Sequence, residues 1–356
     1  MEKSATLPDP SVVARLRENL YAKIRAAKRK RVESGEGQKA VGSAEELLVK
    51  MTGSAGAKFR SGQKEVIESV LSGSDTFLLK ACGGGKSATF YLSSALLGGV
   101  AVLLVPLNAL RDHHRTMMAN VGIRTITVSE TGSADDKDIQ HIASMKQGDH
   151  PTVVVIHPES LKCAALRDAL CLAAKNRAIS LLGADEARLL VEWAGFRESY
   201  RLWKAFVAQV RGSPGQRRAP LLGLDASISP RSMPRVLHAM GMVEPRLFAS
   251  DVQRRDLCIS CHQHGDGTQA SKVSQALKVL ERGRCIIFCS TQSRCERLAM
   301  DVQNKLDDED PAIKITCYHA GLTGPFRESR LRRFMQVCLC VHHYHLLTHA
   351  SSSVAL

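Results

Sequence analysis

Short, nearly unbroken apolar runs recur along the chain, with helix-length polar and amphipathic segments between them. From about residue 46 the runs are "TFLLK" (76–80), "VAVLLVP" (100–106), "RTITV" (124–128), "TVVVIHP" (152–158), "ISLLGADE" (179–186) and "PLLGLDAS" (220–227). Strands that are apolar at successive positions are covered on both faces, which predicts a parallel sheet in an α/β domain. The first unit is expected to end near "FASDVQRRD", and a second α/β pattern comes after it with "DLCISC", "RCIIFCST" and "IKITCYH".

Between the first strand and the next helix lies "ACGGGKS". Glycines let backbone N–H groups approach phosphate oxygens without a Cβ in the way, and a helix N-terminus adds a favourable dipole. Gly83, Gly84 and Gly85 are therefore the expected phosphate cradle. Lys86 is expected at the β- and γ-phosphates of ATP, and Ser87 on Mg²⁺. The strict phosphate-loop pattern places a glycine four residues earlier, where this chain has Lys80 or Ala81. The matching acids come from "ISLLGADEAR". Asp185 is expected to hold Mg²⁺ and Glu186 to orient or deprotonate the attacking water. Two adjacent acids after a strand also suit a helix start.

Composition adds a partner class. The 356 residues carry a formal net charge of +14, with 44% hydrophobic and 24% charged residues. Excess Lys and Arg points to a polyanion, above all nucleic acid. No apolar run reaches the roughly 18 residues needed to span a bilayer, so the expectation is no membrane partner. "YAKIRAAKRKR" places six basic residues between Lys23 and Arg31, as in a nuclear-import signal, a phosphate-contacting arm or a solvated helix face. The 11 cysteines are scattered. "CISCHQH" (258–264) reads as buried thiols in a strand ahead of a zinc site, because no second Cys/His pair stands at a suitable spacing.

Taken together, the phrases resemble the RecQ family of ATP-dependent DNA helicases in superfamily 2. "FRSGQ" resembles the adenine-reading motif, with Gln63 as the base reader and Arg60 beside it in the nucleotide site. "ACGGGKS" is similar to motif I, where family members also lack the early glycine. "VPLNALRDHH" resembles motif Ia, "VIHPESL" the Pro-Glu motif, and "DEARLLVEWAGFRESY" motif II with its aromatic-rich loop. "LGLDASI" stands in the place of motif III. "IIFCSTQSRCERLA" resembles motif IV, and "CYHAGLTGPFRESRLRRFM" resembles the segment after motif IV.

The resemblance implies a P-loop NTPase fold, with a RecA-like parallel-sheet lobe followed by an incomplete second RecA-like lobe. It implies an extension over 1–45, an ATP-binding lobe over 46–250, a partial second lobe over 251–335 and a divergent tail over 336–356. Trp193, Phe196 and Arg197 are the implied sensors of single-stranded DNA, and Tyr318 and His319 a second contact. The implied activity is 3′–5′ unwinding driven by Mg·ATP. Repair and recombination are the implied pathways and the nucleus the implied compartment.

The departures define the alternative. Motif II reads Asp-Glu-Ala-Arg where the family has His at position 188. Glu192 stands where Gln is usual, and Asp225-Ala226-Ser227 replaces Thr-Ala-Thr. The aromatic that stacks on adenine is missing from "KMTGSAGAK". After Met335 the resemblance stops, motifs V and VI are not found, and four histidines (His342, His343, His345, His349) appear as incidental composition. The rival expectation is a non-enzymatic module that binds nucleotide and DNA but does not unwind. A small-molecule P-loop kinase ranks third, because "FRSGQ" and "YHAGL" have no role there.

Overall fold

The computed structural model describes residues 36–105, 111–128, 135–212, 218–250, 268–273, 284–307, 314–319, 321–336 and 343–348. The chain divides into two compact units, Met1–Leu257 and Cys258–Leu356.

In the first unit a seven-stranded parallel sheet runs in the order β3-β4-β2-β5-β6-β1-β7. Its strands are β1 (Thr76–Leu79), β2 (Val100–Leu104), β3 (Arg124–Thr127), β4 (Thr152–Ile156), β5 (Ile179–Ala184), β6 (Leu221–Asp225) and β7 (Arg246–Ala249). The apolar runs are continuous because alternate residues feed two cores. Val100, Val102 and Leu104 join one cluster with Val154 and Ile156. Ala101, Leu103 and Val105 join another with Val153 and Val155. Side chains alternate across a strand, so a run of five apolar residues fills both faces at once. At Gly183 the Phe90 ring lies where a Cβ would stand.

Helices cover both faces: α1 (Glu36–Thr52), α2 (Gln63–Leu71), α3 (Lys86–Leu97), α4 (Arg111–Ala119), α5 (Asp136–Ser144), α6 (Ala164–Lys175), α7 (Leu189–Glu192), α8 (Leu202–Arg211) and α9 (Met233–Met240). Helix α1 places Leu48 and Met51 in the core, and the expected boundary at residue 45 falls inside it. Helix α8 buries Trp203, Phe206, Val207 and Val210 at helical spacing. Strand β7 was not among the expected runs. It is a four-residue edge strand that alternates half-buried and exposed positions, with Leu247 56% exposed. Residues 213–217, in the basic phrase "RGSPGQRRAP" (211–220), lie outside the described set.

The second unit has a three-stranded parallel sheet in the order β8-β10-β9, made of β8 (Arg284–Cys289), β9 (Lys314–Tyr318) and β10 (His343–Thr348). The central strand thus comes from the segment beyond Met335, paired from His343 to Arg284 and Lys314. Helix α10 (Gln292–Asp307) packs Cys295, Leu298, Ala299, Val302 and Leu306 against Ile287 and Ile315, and α11 (Gly324–Gln336) comes after β9. The expected strand "DLCISC", the "CISCHQH" cluster and the basic run 23–31 lie outside the described residues.

Candidate nucleotide site

Neighbouring strands β5, β6 and β1 end side by side, and each ends in a candidate residue or loop. Carboxyl ends of parallel strands are where open α/β sheets bind ligands. After β1, residues 81–85 turn into α3. Gly85 caps that helix with φ 82°, in the left-handed region that favours glycine. A Cβ at Gly84 would stand 2.8 Å from the Ala81 carbonyl oxygen. The loop is thus narrow by construction. Lys86 is buried, and its Nζ donates to the carbonyl oxygens of Lys80 (3.1 Å) and Ala81 (3.5 Å).

The residues expected to hold a metal come together from 98 positions apart. Ser87 Oγ donates to Asp185 Oδ2 at 3.4 Å. Asp185 is buried just beyond β5, and its Oδ1 accepts the Glu186 N–H at 3.0 Å. Burial, reinforced by the charge of Glu186, pushes the Asp185 carboxyl up to about 6, against the pull of that N–H and of Lys86. A buried carboxylate that ionises reluctantly gains from an adjacent cation. With the Ser87 hydroxyl it offers the hard oxygen donors that Mg²⁺ takes. Among the described residues no three Asp, Glu, His or Cys side chains converge as a complete cage.

This charge has a stability consequence. A folded-state value above the ordinary carboxylate range means the ionised form is disfavoured on folding, so the cost is present above about pH 6 and vanishes below about pH 4. Asp185→Asn is therefore expected to stabilise the nucleotide-free protein at neutral pH by on the order of 2 kcal/mol. Urea titrations at several pH values check this, and the gain must shrink as pH falls from 6 to 4.

Tyr91 completes this corner and was missed from sequence. It lies four residues after Ser87 on the same face of α3, buried, and its phenol is pushed up by burial and by Asp185. The i, i+4 spacing from Ser87 is the signal that could have found it.

Gln63 and Arg60 also reach the loop. Gln63 is buried. Its Oε1 accepts the Arg60 N–H at 2.7 Å, and its Nε2 donates to the Gly85 carbonyl at 2.8 Å. Arg60 Nη1 donates to the Gly83 carbonyl. Both side chains therefore brace the phosphate loop.

The aromatic-rich loop forms one compact group beyond α7. The Trp193 ring meets Phe196 at a tilt, with ring centres 5.8 Å apart, and Tyr200 edge to face, with centres 5.7 Å apart. The Arg197 guanidinium sits over Trp193 (5.4 Å) and Tyr200 (5.5 Å). Arg197 also donates from Nε to Glu159 Oε1 at 2.9 Å, and Ser199 Oγ donates to the same oxygen at 2.8 Å. Burial alone would raise the Glu159 carboxyl, but Ser199, its own backbone and Arg197 outweigh burial and hold it below its usual range. Glu159 comes from the Pro-Glu motif, and its link to the aromatic loop is visible only in the fold. Phe196 is 58% exposed, the open face of the group.

Part of the motif Ia phrase, residues 106–110, lies outside the described residues. Tyr318 and His319 belong to the second unit. There His319 is buried with Nε2 3.0 Å from Glu296 Oε1, and Tyr318 is half-buried at the end of β9.

Residues 60–233 match the DEAD/DEAH box helicase family. Among curated relatives, the ATP-dependent helicase wrn-1 of Caenorhabditis elegans is 28% identical over 285 residues, covering 78% of this chain and 25% of that protein. A probable ATP-dependent DNA helicase RecS of Bacillus subtilis is 26% identical over 270 residues, covering 74% of this chain and 50% of that protein. The ATP-dependent DNA helicase RecQ of Pasteurella multocida is 22% identical over 284 residues, covering 78% and 41%. The chain thus spans a quarter to a half of the length of these relatives. A solved structure of Saccharomyces cerevisiae Dbp5 bound to RNA and ADP BeF3 shares the fold, with a TM-score of 0.55 at 16% identity over 85% of this chain and 73% of that one. A DEAD/DEAH box helicase match over residues 60–233, a seven-stranded parallel sheet and this set of relatives make the chain similar to the RecQ-like helicases of superfamily 2.

Proposed function

We propose that the chain binds Mg·ATP at the phosphate loop and single-stranded DNA at the aromatic-rich loop, and that DNA binding stimulates hydrolysis. The observation that carries this reading is the meeting of Ser87 and Asp185, with Lys86 buried beside them. In it Gly83, Gly84 and Gly85 line the phosphates, Lys86 neutralises them, and Ser87 and Asp185 hold the metal. Mg²⁺ would supply charge neutralisation of the phosphates. Glu186 would take the proton of the attacking water. For Gln63 to read adenine, it exchanges its bond to Gly85 for one to the base, and Arg60 lies alongside.

On the DNA side, Phe196 offers an exposed face and Trp193 lies behind it. Stacking is sequence-tolerant and worth roughly 1–3 kcal/mol per base. Arg197 is already paired with Glu159, so its part is to couple the aromatic group to the Pro-Glu segment. In an intact pair of lobes this coupling drives 3′–5′ unwinding, with Tyr318 and His319 as the second lobe's contribution. A nuclear role in DNA repair and recombination accords with the basic run 23–31. Among the described residues no helix is long and apolar enough to cross a membrane.

The test is steady-state ATP hydrolysis by the whole chain, with and without single-stranded DNA. We expect stimulation at a fixed, sub-saturating DNA concentration that Trp193→Ala reduces about tenfold while nucleotide affinity stays within about twofold, given the roughly 1–3 kcal/mol that one stacking aromatic contributes. Nucleotide binding without any response to DNA would leave a nucleotide-binding module as the better description.

A further inference from the structure

Three positions at which this chain departs from the RecQ pattern meet in space. Arg188 Nη1 bonds Glu186 Oε2 and lies 3.2 Å from Asp225 Oδ1, while Arg188 Nε lies 3.5 Å from Glu192 Oε2. Arg188, Glu192 and Asp225 stand where His, Gln and Thr are usual. No one of them makes sense alone. A carboxylate at 225 that is fully buried needs donors, and a half-buried guanidinium at 188 needs carboxylates. Together they form one ionic group, and its fourth member is Glu186, the acid expected to act on water.

We propose that Arg188, held by Glu192 and Asp225, is a clamp on Glu186 that slows hydrolysis and makes the chain a nucleotide-retaining ATPase. The proposal rests on the reading of the phosphate site given above. Three features argue for a clamp in place of an incidental pair. First, the group is anchored independently of Glu186. Asp225 accepts the N–H groups of Arg188 (2.8 Å), Ala226 (2.7 Å) and Ser227 (2.9 Å), so the anchor is part of the β6 end and does not depend on a mobile side chain. Second, Glu186 has φ 49°, in the left-handed region, a strained backbone setting in which its carboxylate meets Arg188. Third, the neighbouring carboxylates raise the Arg188 guanidinium's affinity for its proton beyond what burial removes, so the clamp stays charged at every working pH. A histidine in the same place would release its charge near neutrality.

The chemical consequence comes from the needs of hydrolysis. Water forms a bond to the γ-phosphorus as the bond from that phosphorus to the β-bridging oxygen breaks. ADP and inorganic phosphate leave, and the water's proton passes to Glu186 and then to solvent. A carboxylate held by a guanidinium is turned toward Arg188 and is not free to meet the attacking water. Arg188 touches no reacting atom in this scheme. It is a positioning residue that acts through Glu186. Nucleotide binding does not use Glu186, so the clamp should lower the rate constant and leave affinity alone.

The experiment is single-turnover ATP hydrolysis by the whole chain, alongside binding of a fluorescent ATP analogue with Mg²⁺. The variants are Arg188→Gln, Arg188→Lys and the family-like trio Arg188→His, Glu192→Gln, Asp225→Thr. The trio guards against a single variant that fails to fold, because it removes guanidinium and carboxylates together. Expected are a rate raised on the order of tenfold or more in Arg188→Gln and in the trio, an intermediate rise in Arg188→Lys, which keeps the charge but not the fork, and analogue affinity within about twofold throughout. Rates no faster than the unsubstituted chain, with affinity retained, would overturn the clamp and leave the phosphate site standing. A fall in rate in all three would overturn it as well and make Arg188 a supporting group for Glu186. No saturable nucleotide binding by the unsubstituted chain would overturn the phosphate-site reading itself, and the clamp with it.

Discussion

Lys86→Ala is expected to abolish turnover, with a rate loss of roughly 10²–10³-fold, the scale for removing one preorganised donor at a charged transition state. The ammonium is buried at the mouth of the helix and rests on the carbonyl oxygens of Lys80 and Ala81. Those neutral acceptors satisfy its N–H groups but not its charge. A phosphate does both, so binding replaces ion–dipole contacts with an ion pair. Alanine removes the charge and leaves the glycine cradle intact. Affinity for ATP should therefore fall more than affinity for ADP, because the γ-phosphate loses its partner. Equilibrium binding of both nucleotides, beside the hydrolysis assay, checks this. Equal losses for the two would place Lys86 away from the γ-phosphate. The fold should lose no more than about 1–3 kcal/mol, the cost of leaving the buried Lys80 carbonyl without its donor.

Asp75→Asn is expected to destabilise the first unit by about 3–5 kcal/mol, the cost of breaking a buried pair from one side. Asp75 precedes β1 and ties four segments together. Its Oδ1 accepts Arg211 Nη2 from the end of α8 at 2.6 Å and the Leu221 N–H at the start of β6 at 3.0 Å. Its Oδ2 lies 3.4 Å from the Val243 N–H ahead of β7. Both side chains of the ion pair are only 5% exposed. Burial pulls the Arg211 guanidinium down from its ordinary value even with Asp75 beside it, a sign of how poorly the site hydrates the charge. With Asn at 75 that charge stays buried without a counterion. Urea unfolding followed by tryptophan fluorescence reads this directly, since Trp203 is buried in α8. The double variant Asp75→Asn, Arg211→Met should recover a large part of the loss, because removing both charges also removes the desolvation cost. A double variant as unstable as Asp75→Asn would assign the effect to the N–H groups of Leu221 and Val243 instead.

The two predictions probe opposite ends of the same sheet, and they differ in how visible they were. Lys86 announces itself by position, after an apolar run and three glycines and before a helix. Local chemistry dictates that arrangement, so a linear reading finds it. Asp75 carries no such mark. It sits in "SGSDTFLLK", where it reads as a turn residue, and its partners lie 136 and 146 residues away. The same contrast divides the nucleotide site. Asp185 and Glu186 come after a run of apolar residues and were legible. Arg188 was visible as an oddity, Glu192 as another and Asp225 as a third, but nothing in their spacing says that they touch.

What the amino-acid order determined by itself was therefore local and periodic. The six runs of the first unit became β1 to β6; β2 and β4 are buried at all five positions between two helical layers, whereas the edge strand β3 buries only Ile126. The glycine loop after β1 and the acids after β5 could be located because each is a short contiguous phrase, whereas the resemblance rests on many such phrases taken in order. The edge strand β7 escaped, since four residues that alternate half-buried and exposed look like a loop. So did β10, which lies beyond the point where the resemblance stops and is a strand only because β8 and β9 offer it two open edges. Tertiary structure alone decided which strands are neighbours, and with that the site. Placing β6 between β5 and β1 brings Asp225 beside Arg188 and Asp185 beside Ser87. Such contacts depend on strand order, and strand order is set by how whole layers pack, a quantity to which no single stretch of the chain contributes enough to be read alone.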